Sequence, residues 1–122
     1  MIGIFCFQAN RYVATEQDVL ARFAFSVPYD SNRAAHDNTV KTGICLNSDF
    51  QGAGLGTALY KKLIDTLSDN HIHTILAEIA LPNEASVALH RKTSFDEVGI
   101  LREYAVKHGV MYTALLMQLM LQ

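Results

Sequence analysis

An α/β fold, a mixed layer with helices covering a central sheet, is predicted by three observations. Leu55, Leu59, Leu63 and Leu67 recur at a spacing of four with Ala58 and Ile64 beside them, the pattern of one face of an amphipathic helix. Two short β-rich segments, Val40 to Leu46 and Thr74 to Ala80, stand before and after that helix. Three glycines, Gly52, Gly54 and Gly56, fill the connection from the first strand into the helix. Strands alternating with helices in this way build layered α/β domains.

The elements follow in order. Residues 2–7 are apolar with large side chains and read as a buried strand. Residues 8–39 carry competing signals. Thr15-Glu16-Gln17-Asp18 would cap a short helix, whereas the alternation of Phe23, Phe25 and Val27 suits a strand. Both readings stay open. Tyr29-Asp30-Ser31-Asn32, after Pro28, and His36-Asp37-Asn38 read as turns. Val40 to Leu46 is a strand with Val40, Ile44 and Leu46 on one face and Gly43 and Cys45 on the other. The leucine helix runs to about Asn70, with Ala58 and Ile64 beside the leucines and Lys61, Lys62, Asp65 and Asp69 outward. Thr74 to Ala80 is a strand, and Leu81-Pro82-Asn83 breaks it. A second helix spans about Glu84 to Thr93, with Ala85, Ala88 and Leu89 inward. Val98 to Ala105 and Tyr112 to Leu121 are two more strands, turning at Lys107-His108-Gly109.

Composition bounds the function classes. With 122 residues, half of them apolar, the chain supports one domain over 1–122 and one core. Ten basic and twelve acidic side chains are evenly spread, with no Lys/Arg block. Neither a nucleic acid nor a membrane surface is therefore expected as a partner. The apolar runs are too short to span a bilayer. The first residues lack the basic region and cleavage site of a signal peptide. Cys6 and Cys45 are isolated in apolar stretches, which reads as two free thiols in a reducing, cytoplasmic compartment. His71 and His73 have no further ligand at a usual spacing, so no metal is expected.

The stretch Gln51-Gly52-Ala53-Gly54-Leu55-Gly56 carries the chemistry. Its glycines let the backbone approach a ligand closely. The helix that opens at about Gly54 turns unpaired N–H groups and a positive dipole end toward that ligand, which suits a diphosphate. A phosphate loop of the GxxxxGK[ST] type fails, because Thr57-Ala58 follows Gly56. A dinucleotide fingerprint matches weakly, since the spacing is Gly-x-Gly-x-Gly and Glu78 lies inside the next strand. The pattern [Gln/Arg]-x-x-Gly-x-[Gly/Ala], an acyl-CoA loop, fits at Gln51, Gly54 and Gly56. A glycine-rich turn that merely opens a helix is the bland alternative.

From about Val40 to Met120 the chain resembles the GNAT family of N-acetyltransferases, and within it the phosphinothricin and methionine sulfoximine acetyltransferase branch. The resemblance rests on Asp49 to Leu59, His73 to Ile79, Asn83-Glu84-Ala85-Ser86-Val87-Ala88-Leu89-His90, Val98-Gly99 and Leu116-Met117-Gln118, in that order. It implies a GNAT-like mixed central sheet flanked by helices, lacking the strand and two helices that usually precede residues 2–7. It implies acetyl transfer from acetyl-CoA to the amine of a small amino-acid-like acceptor. Backbone groups of Ile44, Cys45 and Leu46 would pair with the pantetheine arm. Gln51, Gly52, Ala53, Gly54, Leu55, Gly56 and Thr57 would hold the pyrophosphate. Asn83, with Ser86, would reach the cofactor or serve only as a helix cap. His90 could protonate the departing thiolate, or be a half-buried side chain without that role. Lys41, Thr42 and Gly43 would border the acceptor.

The departures cluster on the acceptor side. Lys41 stands where the branch has an acid, Ser94 where it has glycine, and Met111 and Thr113 where it has Trp and Asp. A catalytically impaired acyl-CoA-binding remnant, or a subunit of an incomplete acetyltransferase, is therefore the alternative reading. An exposed sheet edge left by the missing strand would favour a homodimer.

Overall fold

A computed structural model describes residues 2–8, 11–16, 22–30, 34–46 and 55–121. Gln51, Gly52, Ala53 and Gly54, Gln17-Asp18, and the side chains of Cys6 and Cys45, lie outside the described residues. The strands are β1 (Ile2–Gln8), β2 (Arg11–Glu16), β3 (Arg22–Pro28), β4 (Thr39–Leu46), β5 (Thr74–Ala80), β6 (Asp96–Lys107) and β7 (Val110–Met120). The helices are α1 (Leu55–Asp69) and α2 (Glu84–Lys92). The strands form one sheet in the order β1-β2-β3-β4-β5-β7-β6. All neighbours are antiparallel except β4 and β5, which α1 connects as a parallel pair.

The described residues within 8–39 lie mostly in strands. Thr15 and Glu16 end β2 rather than cap a helix, and Phe23, Phe25 and Val27 alternate along β3 opposite Cys45, Gly43 and Lys41. Gly43 has a packing reason. A Cβ there would come within 2.6 Å of the Phe25 ring, so only glycine lets that ring cross the strand.

Both helices lie on one face of the sheet. Leu59, Leu63, Leu67 and Ile64 of α1 meet Tyr12, Ala24, Val40, Ile75 and Met117 in the core. Ala58 is exposed, contrary to its expected place, because the inward stripe passes through Tyr60 instead. The inward face of α2 is likewise corrected. Ala85 and Ala88 are exposed, whereas Leu89 and His90 are buried and Val87 packs against the core. The polar His90 takes the inward position because α1 offers it a hydrogen-bond partner. The last two strands also outrun their predicted limits and pair to within two residues, leaving His108 and Gly109, both at positive φ, as the turn. Among the described residues no helix is long and apolar enough to cross a membrane.

Each helix ends in the same way. In α2 the Phe95 N–H donates to the His90 carbonyl at 3.0 Å and the Ser94 N–H to the Arg91 carbonyl at 3.1 Å. In α1 the Ile72 N–H donates to Leu67 and the His71 N–H to Ser68. These are Schellman closures, whose left-handed residue is normally glycine. Here it is Ser94, at φ 74, and His71, at φ 63. The Ser94→Gly variant is therefore expected to gain about 1 kcal/mol of stability by relieving a Cβ held in the left-handed region. Urea unfolding measures it, and a midpoint unchanged or lowered would contradict the assignment.

Candidate active site

The sheet opens between its two parallel strands. β4 and β5 pair at Thr39↔Thr74, Val40↔Ile75 and Lys41↔Leu76. No later pair occurs among the described residues, although β4 continues to Leu46 and β5 to Ala80. Each strand keeps its outer neighbour throughout: β4 stays paired with β3 to Leu46, and β5 with β7 to Ala80. Ile44, Cys45 and Leu46 therefore present a free strand edge inside the sheet, which is a template for an extended ligand. Gly56 and Thr57 lie in the first turn of α1, which follows β4 in the chain. The first N–H groups of a helix lack intrahelical acceptors.

A buried polar chain lies on the helical face beside this opening. Thr42, the first β4 residue beyond the paired stretch, hydrogen-bonds the Tyr60 hydroxyl. That hydroxyl is 3.0 Å from His90 Nε2, and His90 Nδ1 is 2.7 Å from the Ser86 carbonyl oxygen. A carbonyl only accepts, so Nδ1 carries the proton and Nε2 accepts from Tyr60. The Tyr60 oxygen then accepts from the Thr42 hydroxyl. Every donor in the chain has one direction. Phe95 stacks on Tyr60 at 5.8 Å and meets the His90 ring edge-on at 5.0 Å. Burial pushes the Tyr60 phenol well above its ordinary range, partly opposed by the Thr42 hydrogen bond. Burial pulls the His90 imidazole down, partly opposed by the Ser86 carbonyl.

His90 is thus 2% exposed, not half-buried, and holds its N–H on a backbone carbonyl. Its lowered pKa has a consequence for stability. The unfolded chain takes up the proton below about pH 6.5, while the folded chain resists until lower pH. His90 therefore contributes stability above about pH 6.5 that is lost as pH falls toward its folded pKa, at a slope of up to about 1.4 kcal/mol per pH unit. Urea titrations across that window, on the parent chain and on His90→Leu, check this. The slope is expected to flatten in the variant.

The opposite face holds a different cluster. Lys41 and Glu78 project there, since their neighbours Val40, Thr42, Ala77 and Ile79 are buried toward the helices. Lys41 Nζ is 3.4 Å from Glu78 Oε1 and 5.7 Å above the centre of the Tyr29 ring. The Tyr104 hydroxyl donates to Glu78 Oε2 at 2.5 Å. Tyr104 belongs to β6 and reaches across β7, because the register breaks between Leu101 and Ala105. In that bulge Glu103 has φ 48. Accepting from its hydroxyl, Glu78 pushes the Tyr104 phenol up, with smaller contributions from desolvation, the Glu78 charge and Tyr29.

The expected residues separate accordingly. Lys41 stands at the mouth of the opening, but the Thr42 side chain points to the helices and is occupied by Tyr60. Asn83 is an exposed cap whose Oδ1 accepts from the Ser86 N–H at 3.2 Å. Ser86 also holds His90 through its carbonyl. Two residues, Glu78 and Tyr60, had no role assigned to them at this site from the sequence. Glu78, an acid centred in an apolar strand on its outward phase, had a readable signal. Tyr60 had none beyond its helical position, since its partners lie far away in sequence. Among the described residues no group of three His, Cys, Asp or Glu side chains could hold a metal.

Comparison with known proteins agrees with this geometry. Residues 4–95 match the acetyltransferase (GNAT) family. The chain is 38% identical over 96 residues to a phosphinothricin N-acetyltransferase of Streptomyces coelicolor, covering 79% of this chain and 55% of that protein. It is 31% identical over 100 residues to the ribosomal protein bS18 alanine N-acetyltransferase of Escherichia coli, covering 80% and 64%. The crystal structure of a GNAT superfamily phosphinothricin acetyltransferase from Sinorhizobium meliloti, in complex with acetyl-CoA, matches with a TM-score of 0.79 at 27% identity. That match covers 91% of this chain and 60% of the other. The chain spans little more than half the length of the curated phosphinothricin acetyltransferase. By its sequence match, its strand order and the opening between its parallel strands, the chain belongs to the acetyltransferase (GNAT) family.

Proposed function

We propose that this chain transfers the acetyl group of acetyl-CoA to the amine of a small amino-acid-like acceptor, of the phosphinothricin or methionine sulfoximine type. The observation that carries the reading is the parting of β4 from β5 after Lys41 and Leu76, with a carboxylate, Glu78, at its mouth. The pantetheine arm pairs with the free edge at Ile44, Cys45 and Leu46 as an added strand would. The diphosphate lies against Gln51 to Thr57, where the α1 dipole favours negative charge. Asn83 and Ser86 border the cofactor from the start of α2. A metal has no role in this scheme.

The acceptor ammonium must lose a proton before its nitrogen can attack. Glu78 accepts that proton. The nitrogen then forms a bond to the thioester carbon, backbone N–H groups steady the oxyanion, and the carbon–sulfur bond breaks to release the CoA thiolate, which is reprotonated. His90 acts as a positioning residue. Through Tyr60 it holds Thr42, and so the β4 edge, where β5 no longer does.

Calorimetric titration with acetyl-CoA tests the donor half, with saturable binding expected. Gly56→Asp is expected to keep the fold, because an acid suits a helix N-terminus, while weakening binding at least about tenfold through repulsion of the diphosphate. Absence of binding by the parent chain would overturn the reading. One observation favours a second reading. Val98, Ile100, Val106 and Val110 of the β6–β7 hairpin are more than half exposed, and β6 is an edge of the sheet. Such a surface suits a chain that binds acyl-CoA and is completed by another copy or subunit. Acetyl-CoA binding without turnover of any amine would select it.

A further inference from the structure

The two curated relatives act on different amines by their names. One takes phosphinothricin, the other an alanine of a ribosomal protein. A free amino acid carries a carboxylate next to its amine. In an N-terminal residue that group is a neutral amide.

We infer that Lys41 selects acceptors bearing a carboxylate beside the amine, so that this chain takes free amino acids rather than the amino termini of proteins. The inference rests on the acceptor side placed above at Glu78. Lys41 is the last β4 residue paired with β5, so its ammonium is fixed at the mouth of the opening. It is 3.4 Å from one oxygen of Glu78, whose other oxygen accepts from Tyr104. Glu78 is thereby pinned from β6 while Lys41 is held over Tyr29. The two side chains remain 36% and 24% exposed, so a ligand can reach both.

A positive and a negative group side by side are the complement of a zwitterion. The acceptor ammonium meets Glu78 and its carboxylate meets Lys41, so one ion pair becomes an alternating set of four charges. The exchange also draws Lys41 toward the acceptor, leaving Glu78 to face the ammonium whose proton it takes. An amino terminus offers the ammonium alone. It must break the Lys41–Glu78 pair and leave the lysine without an anion, which is a penalty built against that acceptor.

The test compares three ligands on the CoA-saturated chain: L-methionine sulfoximine, its carboxamide, and a short peptide beginning with alanine. Equilibrium binding is read by calorimetry, and transfer by thiol release. The amino acid is expected to bind at least about tenfold more tightly than the other two. Lys41→Met is expected to erase most of that difference by weakening the amino acid alone, and Lys41→Arg to restore it. Equal binding of acid and carboxamide by the parent chain would overturn the inference. So would a Lys41→Met variant that loses affinity for both alike, because that is the mark of a structural role. Discrimination in binding without thiol release would uphold the inference and count against catalysis instead.

Discussion

Tyr60→Phe is expected to destabilise the folded chain by about 2–4 kcal/mol, although it removes a single oxygen. That oxygen is shared by two buried partners, the Thr42 hydroxyl and the His90 Nε2. Each is left without its mate in a site closed to water, at about 1–3 kcal/mol apiece. The rings of Phe95 and His90 keep their contacts with the remaining ring, so little of the loss comes from packing. Chemical unfolding reads the value directly. A cycle with His90→Leu should show the two changes to be less than additive by more than 1 kcal/mol, since the second removes a partner already orphaned by the first. Losses below about 0.5 kcal/mol would mean that the hydrogen-bonded chain has no energetic weight.

Glu78→Gln is expected to lower kcat by about 10²–10⁴-fold while the KM for acetyl-CoA stays within about twofold. Glutamine keeps the shape and can still accept from Tyr104, but it cannot take a proton from the acceptor. The deficit should shrink as pH rises, because solvent then supplies the neutral amine and the base matters less. A uniform loss at every pH, or a matching rise in the KM for acetyl-CoA, would assign Glu78 to binding or folding instead.

The legible parts of this fold are those in which a single periodicity governs. The leucine repeat of α1, the alternating burial of Thr74–Ala80 and the Asn83 cap of α2 all follow from local pattern, and the structure has each of them. β2 and β3 were harder because polar side chains interrupt their alternation, among them Ser26, which is buried. Leu59, Leu63 and Leu67 of α1 and Leu89 of α2 are buried as expected, but Tyr60 and His90 were missed beside them for a related reason. Tyr60 and His90 occupy core positions only because they satisfy each other and Thr42 across long stretches of chain, a pairing that hydropathy does not report. Ala85 and Ala88, which suit either environment, were placed inward with Leu89, and only the leucine is buried. Both helix ends were placed to within a residue, although His71 and Ser94 fill positions where a glycine would have signalled the stop.

The donor loop stood out in the sequence through its glycines, whereas the acceptor side was hidden. Lys41 in place of an acid suggested that a base had been lost. The neighbouring strand supplies a carboxylate 3.4 Å away, a relation visible only once β4 and β5 are in register. Tyr104 joins that cluster through a bulge, and an irregularity of this kind leaves no period in the sequence.

The most direct test of acetyl transfer follows both products at once. The purified chain is mixed with acetyl-CoA and L-methionine sulfoximine, free CoA thiol is measured by colour, and the acetylated amine by mass spectrometry. The two products are expected to appear in equal amounts, at a rate that saturates in both substrates and falls in Glu78→Gln. Thiol release no faster than without protein, or thiol release without an acetylated amine, would contradict acetyl transfer by this chain.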